Sequence, residues 1–261
     1  MFQRPEHTYD FDPKIIDLIL NDEANPLNRI YNLIPDGAKV LDIGAGNGLL
    51  ALIMLKSGKK VLIDGIEPDS YAVAIGKKYY RNLFCGSAQE FKQDIIQEDY
   101  NFIVLADVIE HMKDPLTFLS ELCSELSKKT RVVLSIPNIS FGAVRISLLN
   151  GHFDYVDSGL LEKSHIRFFT LKTILKLVTE IEMNIEKLFY LQRDIFNSEI
   201  PVVRSQTNFF CLRRILKDSL SSTYQFLLVL TKNSVEPEKA FYGQGTRLSL
   251  TSHIANKLRF K

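Results

Sequence analysis

The chain has 261 residues, 46% of them hydrophobic, enough to bury a sizeable core as one large domain or as a domain with a small cap. Lysine and arginine total 32 against 31 aspartate and glutamate, so the overall positive field of a dedicated nucleic-acid binder is missing and such a partner is not favoured. Cys85, Cys123 and Cys211 lie far apart without C-x-x-C spacing, which argues against a disulfide frame or a zinc site. The opening MFQRPEHTYD lacks a secretory apolar segment, and no apolar run approaches the ~18 residues of a membrane-spanning helix, so the chain reads as cytoplasmic.

In chain order, KIIDLIL at 14–20 and the stretch 27–33 read as two short amphipathic helices, a helical cap over 1–34. From Lys39 onward, short apolar runs (KVLDI, KVLIDGI, NFIVLADV, RVVLSIP) alternate with longer helical patterns, the signature of β-α-β units around a parallel sheet buried on both faces. Asp114-Pro115 reads as a helix N-cap followed by proline at the first helical position, with Leu119, Leu122 and Leu126 as the apolar stripe. Thr170 opens another helix, whose Leu171, Ile174, Leu175 and Val178 share a face. NIEKLFYL and TYQFLLVLT then read as two strands in antiparallel pairing, joined by an irregular stretch from Arg193 to Ser222. Residues 233–261 are polar without a clear period and read as a loop or loosely packed extension.

The stretch VLDIGAGNGLL, residues 40–50, places Gly44, Gly46 and Gly48 where a strand ends and a helix begins. A backbone without Cβ atoms turns sharply there, and the helix N-terminus offers free N–H groups and positive dipole to a ligand. The spacing is G-x-G-x-G, with Leu49 where the dinucleotide fingerprint G-x-G-x-x-G has its third glycine. Glu67 ends the next apolar run about 20 residues downstream, where an acidic side chain can accept hydrogen bonds from a ribose. It is equally placed to cap the helix starting near Asp69.

VLDIGAGNG resembles motif I of the class I S-adenosylmethionine-dependent methyltransferases, D-x-G-x-G-x-G, with Asp42 at the acidic position. Glu67, followed by Pro68, matches the family's ribose-holding acid at the end of the second strand. CGSAQEF, residues 85–91, falls at its adenine-contacting loop. There Ser87 replaces a common aspartate, leaving Ala88 and Gln89 as the nearest adenine contacts. FIVLADVIEHMKDP and VVLSIPN resemble the fourth and fifth strands of the subgroup containing ubiquinone-pathway O-methyltransferases. The segment after Asn138 resembles relatives in natural-product and cell-surface glycan pathways. The resemblance implies a doubly wound, mostly parallel, seven-stranded Rossmann-like α/β sheet with an antiparallel last strand. It divides the chain into a cap at 1–34, a methyltransferase domain at 35–232 with a lid insertion at about 139–170, and an extension at 233–261. S-adenosylmethionine would then be the cofactor, held by Asp42, Gly44, Ala45, Gly46, Gly48, Glu67, Pro68, Ser87, Ala88, Gln89 and Asp107.

Methyl transfer from a sulfonium is an in-line displacement, so the enzyme mainly aligns the partners and excludes water. A hydroxyl acceptor benefits from a base or a metal. Asp107, Glu110 and His111 follow the fourth strand, where His111 is a candidate base, the three together are a candidate divalent-metal set, or Glu110 and His111 orient the loop. GHFDYVDSGLLEKSHIRFFT, residues 151–170, combines His152, Asp154, Tyr155, His165 and Arg167. Convergent polar and aromatic groups of this kind suit a substrate lid. His165 is the leading acid/base candidate, and Arg167 a binder of carboxylate or phosphate, unless the two pin the lid to the body. ISFGAVRISLLN reads as core packing, or as a helix meeting a lipid-linked acceptor at a membrane surface. The function expected is O-methylation of a small-molecule, sugar, glycan or lipid-linked acceptor, in the cytoplasm or peripherally at a membrane. The rival readings are a non-catalytic binding module and a nicotinamide-dependent oxidoreductase.

Overall fold

The computed structural model describes residues 14–202, 207–235 and 241–242. Two helices come first, α1 (Lys14–Asn21) and α2 (Pro26–Leu33). The Asn25 side chain accepts from the Leu27 N–H at 2.9 Å and Pro26 opens the helix, so an orphan donor is satisfied where a proline costs nothing. Then follow β1 (Lys39–Ile43), α3 (Leu49–Lys56), β2 (Leu62–Glu67), α4 (Ser70–Gly76), β3 (Asn82–Cys85), α5 (Lys92–Gln97), β4 (Phe102–Ala106), α6 (Pro115–Glu125) and β5 (Arg131–Pro137). The remainder is α7 (Gly142–Leu149), α8 (Leu171–Glu180), β6 (Asn184–Gln192), α9 (Phe209–Leu216), β7 (Thr223–Thr231) and β8 (Phe241–Tyr242).

The strands form one sheet in the order β3-β2-β1-β4-β5-β7-β6-β8. Strands β1 to β5 pair in parallel, β7 runs antiparallel between β5 and β6, and β8 lies parallel to β6. The expected antiparallel strand is therefore β7, and among the described residues the expected seven strands, β1 to β7, are joined by a two-residue eighth, β8. The additional one, Phe241–Tyr242, falls in the extension read as loop; two residues are too few to show a period of two. The stretch from Arg193 to Ser222 is likewise not wholly irregular, because α9 forms within it. Asn208 caps α9, accepting from the N–H groups of Phe210 and Cys211. Residues 1–13 and the basic ending KLRFK lie outside the described residues.

Burial follows the two-residue period of the strands. Leu41, Ile43, Ile103, Leu105 and Leu134 face one layer, with Leu119 and Leu122 of α6 and Ile174 and Leu177 of α8. Val40, Val104 and Val133 face the other, with Ile30, Leu50 and Met54 from α2 and α3. Both faces are thus covered, as a parallel sheet requires. A third cluster joins Phe141, Val144 and Ile146 of the α7 region to Leu160, Leu161, Ile195 and Ile215. Five of the eight α7 residues are buried and Arg145 pairs with Asp218 at 2.7 Å, so this helix is a packed part of that third cluster. Among the described residues no helix is long and apolar enough to cross a membrane.

Candidate active site

The carboxyl ends of β1, β4 and β5 and the antiparallel start of β7 converge on a cavity of about 390 Å³, at the edge where open α/β sheets bind ligands. The glycine turn forms one wall. The N–H groups of Gly44 and Ala45 donate to the Ile66 carbonyl at 2.9 and 3.1 Å, tying the turn to β2. Gly44 has φ +75° and a Cβ there would sit 2.6 Å from Val108 Cγ2, so a side chain is excluded twice over. Gly48, at φ +89°, is the N-cap of α3. Leu49 begins that helix and lines the cavity with Asp42, Gly44 and Ala45.

Glu67 is fastened to this turn. Its Oε2 accepts from the Gly46 N–H at 2.8 Å and its Oε1 from the Asp69 N–H at 2.9 Å, leaving further lone pairs on both oxygens. Asp69, not Glu67, caps α4, accepting from the Tyr71 N–H at 2.9 Å. Asp42 is 3% exposed and its Oδ2 accepts from the Tyr80 hydroxyl at 2.7 Å. Burial pushes its pKa from 3.8 to about 7; the Tyr80 hydrogen bond opposes that rise and the Glu67 charge adds to it. Burial, and then the Asp42 charge, raise the Tyr80 phenol in turn. Of the expected cofactor residues, Asp42, Gly44, Ala45 and Asp107 line the cavity, whereas Gly46, Gly48, Glu67, Pro68, Ser87, Ala88 and Gln89 do not. Ala88 is buried in the core beneath α6, while the Ser87 N–H donates to Glu90 at 3.0 Å and closes its own loop.

The opposite wall is built after β4. Asp107 adopts φ +56°, a left-handed conformation that aspartate tolerates better than most residues. Its Oδ1 accepts from the Ser135 hydroxyl at 2.8 Å and from the Gln225 amide. Desolvation raises its pKa, opposed by the Ser135 hydrogen bond. Glu110 lies on the turn Ile109–His111 at 1% exposure, and neither carboxylate oxygen has a hydrogen-bond partner among the described residues. Its carbonyl accepts from Ile166 and Arg167, both at 3.0 Å, which anchors the lid. Burial, reinforced by Asp107, raises the Glu110 carboxyl well above its ordinary value.

The two histidines meet here. The His111 and His165 rings stand edge to face with centroids 4.8 Å apart. The Nδ1 atom of His111 lies 3.1 Å from the Ser164 carbonyl, and that of His165 lies 3.1 Å from the Leu160 carbonyl. A carbonyl only accepts, so each Nδ1 carries a proton, and a ring in its neutral form keeps its lone pair on Nε2. Burial lowers the His165 pKa against the opposing pull of the Leu160 carbonyl, which favours the neutral ring. Among the described residues Glu110, His111 and His165 bring one ligand atom each within 4.8 Å of one another. The candidate metal set is therefore completed by His165 rather than Asp107, whose Oδ1 is taken by Ser135 and Gln225.

Three expected lid residues lie elsewhere. His152 is exposed with Nδ1 3.8 Å from Asp154, Tyr155 packs edge-on to Phe153, and neither lines the cavity. The Arg167 guanidinium donates to the Lys113 carbonyl, so it ties the lid to the body outside the cavity. In their place the cavity is lined by Asn25, Glu162, Arg193, Tyr224 and Gln225. The one sequence signal for the last two was a polar Tyr-Gln pair opening the otherwise apolar run TYQFLLVLT.

Fold and site together define a Rossmann-like α/β protein with a glycine turn and an acidic strand end suited to a nucleoside-bearing cofactor. The family model described as a methyltransferase domain matches residues 22–188, more than half of the chain, and the chain belongs to that family. S-adenosylmethionine is the cofactor of this class. The chain is similar to the ubiquinone biosynthesis O-methyltransferase of Xanthomonas axonopodis pv. citri, at 24% identity over 135 residues covering 49% of this chain and 56% of that protein. It is also similar to the protein of the same name from Salmonella paratyphi A, at 31% identity over 128 residues covering 42% and 50%. The chain spans about half the length of the curated relatives it matches. In fold it resembles a SAM-dependent methyltransferase from Archaeoglobus fulgidus, with a TM-score of 0.57, 16% identity, and 83% and 94% of the two chains covered. The plantazolicin methyltransferase BamL, solved with SAH, gives 0.52 at 17% identity, with 81% and 86% covered.

Proposed function

We propose that the protein transfers a methyl group from S-adenosylmethionine to a hydroxyl oxygen of a small-molecule acceptor. The observation that carries this reading is the Glu67 carboxylate held against the glycine turn by the Gly46 N–H. So held at the end of β2 beside the turn, it keeps lone pairs that can accept from ribose hydroxyls. When bound, the cofactor supplies an electrophilic methyl carbon on a sulfonium. Asp42 and the turn hold its amino-acid end, and Glu67 the ribose. Asn25, Pro26 and Leu27 roof the cavity and exclude water. His165, neutral and with a free Nε2, takes the acceptor's proton as the oxygen attacks, and His111 stands beside it. Oxygen is favoured as the acceptor atom because the matched relatives are named O-methyltransferases.

A second reading rests on Glu110. A buried carboxylate without a hydrogen-bond partner is costly, and a divalent cation shared with the Nε2 atoms of His111 and His165 would remove that cost. Such an ion would supply Lewis acidity to the acceptor hydroxyl, with both Nδ1–H groups orienting their rings. Calorimetry with S-adenosylhomocysteine and with NAD tests the main reading: micromolar binding of the former is expected, and binding of NAD alone overturns it. Mass spectrometry of a cell extract incubated with protein and S-adenosylmethionine then reports which metabolite gains a methyl group. A protein that binds S-adenosylhomocysteine but methylates nothing in such extracts is a binding module instead.

A further inference from the structure

We infer that Arg193 forms an oxyanion subsite on the acceptor side of the cleft, so that the methyl acceptor carries a carboxylate or phosphate group near its reacting hydroxyl. This rests on the methyltransferase reading and adds a substrate class to it.

Arg193 follows the last residue of β6, and its backbone N–H donates to the Ser222 carbonyl at 2.9 Å. Because β6 and β5 both run antiparallel to β7, this places it at the carboxyl edge of the sheet, where the cavity opens. The guanidinium carbon lies 4.4 Å from the centroid of the Tyr224 ring. Stacking on an aromatic face engages the π surface of a guanidinium and leaves its N–H edge for a planar, two-point partner.

Five of the other described arginines have fixed partners. Arg29, Arg81, Arg131 and Arg145 pair with carboxylates, and Arg167 donates to a carbonyl. Among the described residues no carboxylate or carbonyl accepts from the Arg193 guanidinium. The carboxylate of Glu199 is held by the hydroxyl of the same ring. Its Oε1 accepts from the Tyr224 hydroxyl at 2.7 Å and from the Leu160 N–H at 3.1 Å. The tyrosine of the stack is thus anchored at its hydroxyl, and Arg193 lines the cavity.

The charge distribution in the cavity points the same way. Its lining includes Asp42, Asp107 and Glu162, and among the described lining residues Arg193 is the only lysine or arginine. An anionic acceptor would be repelled along the carboxylate side and retained only where the guanidinium stands. One two-point contact to a charged oxygen pair also fixes the acceptor's orientation relative to the histidines.

The test uses the full chain loaded with S-adenosylhomocysteine, titrated calorimetrically with matched probes. These are 3,4-dihydroxybenzoate against 3,4-dihydroxybenzamide, and glucose 1-phosphate against methyl glucoside. The first pair reports a carboxylate and the second a phosphate. The anionic member of at least one pair is expected to bind roughly tenfold to a hundredfold more tightly than its neutral partner, as charged hydrogen bonds typically do. Arg193→Gln should abolish that preference and Arg193→Lys retain part of it, with S-adenosylhomocysteine affinity unchanged in both. Equal binding within both pairs, or a preference that survives Arg193→Gln, overturns the subsite. Failure of S-adenosylhomocysteine itself to bind overturns the methyltransferase reading, a result visible before any probe is added.

Discussion

Replacing Asp42 with asparagine keeps an acceptor for the Tyr80 hydroxyl and removes the ionisation. The structure predicts how stability should then change with pH. In the folded protein the Asp42 carboxyl has a pKa of about 7, against 3.8 ordinarily. At 1.36 kcal/mol per pKa unit this gap corresponds to something of the order of 4 kcal/mol. The folded state holds a proton that the unfolded chain has released, so the contribution is fully present below about 3.8 and is lost as pH rises towards about 7. The measurement is urea denaturation of parent and Asp42→Asn without ligand, from pH 4.5 to 8. The stability of the parent relative to the variant should decline across that window and level off above it. On the proposed placement of the cofactor's amino-acid end beside Asp42, the same titration governs cofactor binding, because a cationic group is better held by the ionised carboxylate. Binding only to the ionised form makes the affinity of the parent about tenfold weaker at pH 6 than at pH 8, a dependence the variant should lack. A stability difference that is flat with pH, or an identical pH slope of binding in both proteins, would refute the argument from burial.

Glu67→Gln should weaken S-adenosylhomocysteine binding by roughly tenfold to a hundredfold, and calorimetry showing a change within twofold would remove the ribose assignment. Gly44→Ala brings a Cβ to 2.6 Å from Val108 Cγ2 at a φ of +75°. A loss of about 1–3 kcal/mol in urea melts is expected, only part of it recovered by adding Val108→Ala, because the backbone strain persists. Ile174→Ala empties a fully buried position on the inner face of α8 and should cost about 2–5 kcal/mol, with a negligible cost indicating that this layer is not packed as described. With an acceptor in hand, His165→Gln should lower kcat by roughly 10² to 10⁴ if the ring is the base. A chelator that stops turnover of the parent, with recovery on adding a divalent ion, would transfer that role to a cation on Glu110, His111 and His165.

The legible parts of the sequence were those in which one local rule acted alone. Gly44, Gly46 and Gly48 between an apolar strand and an apolar helix, Asp114-Pro115 at a helix start, and Thr170 with its periodic apolar residues all specify short-range structure. The lid was legible only in composition. His152, Tyr155, His165 and Arg167 share one polar, aromatic stretch, yet which of them face the cavity depends on the Glu110 carbonyl, which receives the backbone of Ile166 and Arg167 from across the fold. Arg193 was hidden for a related reason. It lies 31 residues before Tyr224 in number, and only the antiparallel pairing of β6 with β7 stacks the two. Helix α9 did carry a signal, Asn208 ahead of Leu212 and Ile215, but its eight residues offer barely two turns of period.

The position of β7 has a consequence for how the chain reaches this state. It wedges between β5 and β6, both of which are complete more than 30 residues earlier in the sequence, and it carries Tyr224 and Gln225 into the cavity. Until it inserts, β5 presents an unpaired edge of valine, leucine and isoleucine, the kind of surface that recruits other strands. The loop closures that bring β7 home are long-range and therefore slow. A nascent chain arrested before residue 223 would thus be expected to sit as an open-edged, aggregation-prone intermediate with its glycine turn formed and its acceptor wall missing. Cofactor recognition and acceptor recognition would then mature at different times on the folding pathway, the second waiting on the arrival of a single strand.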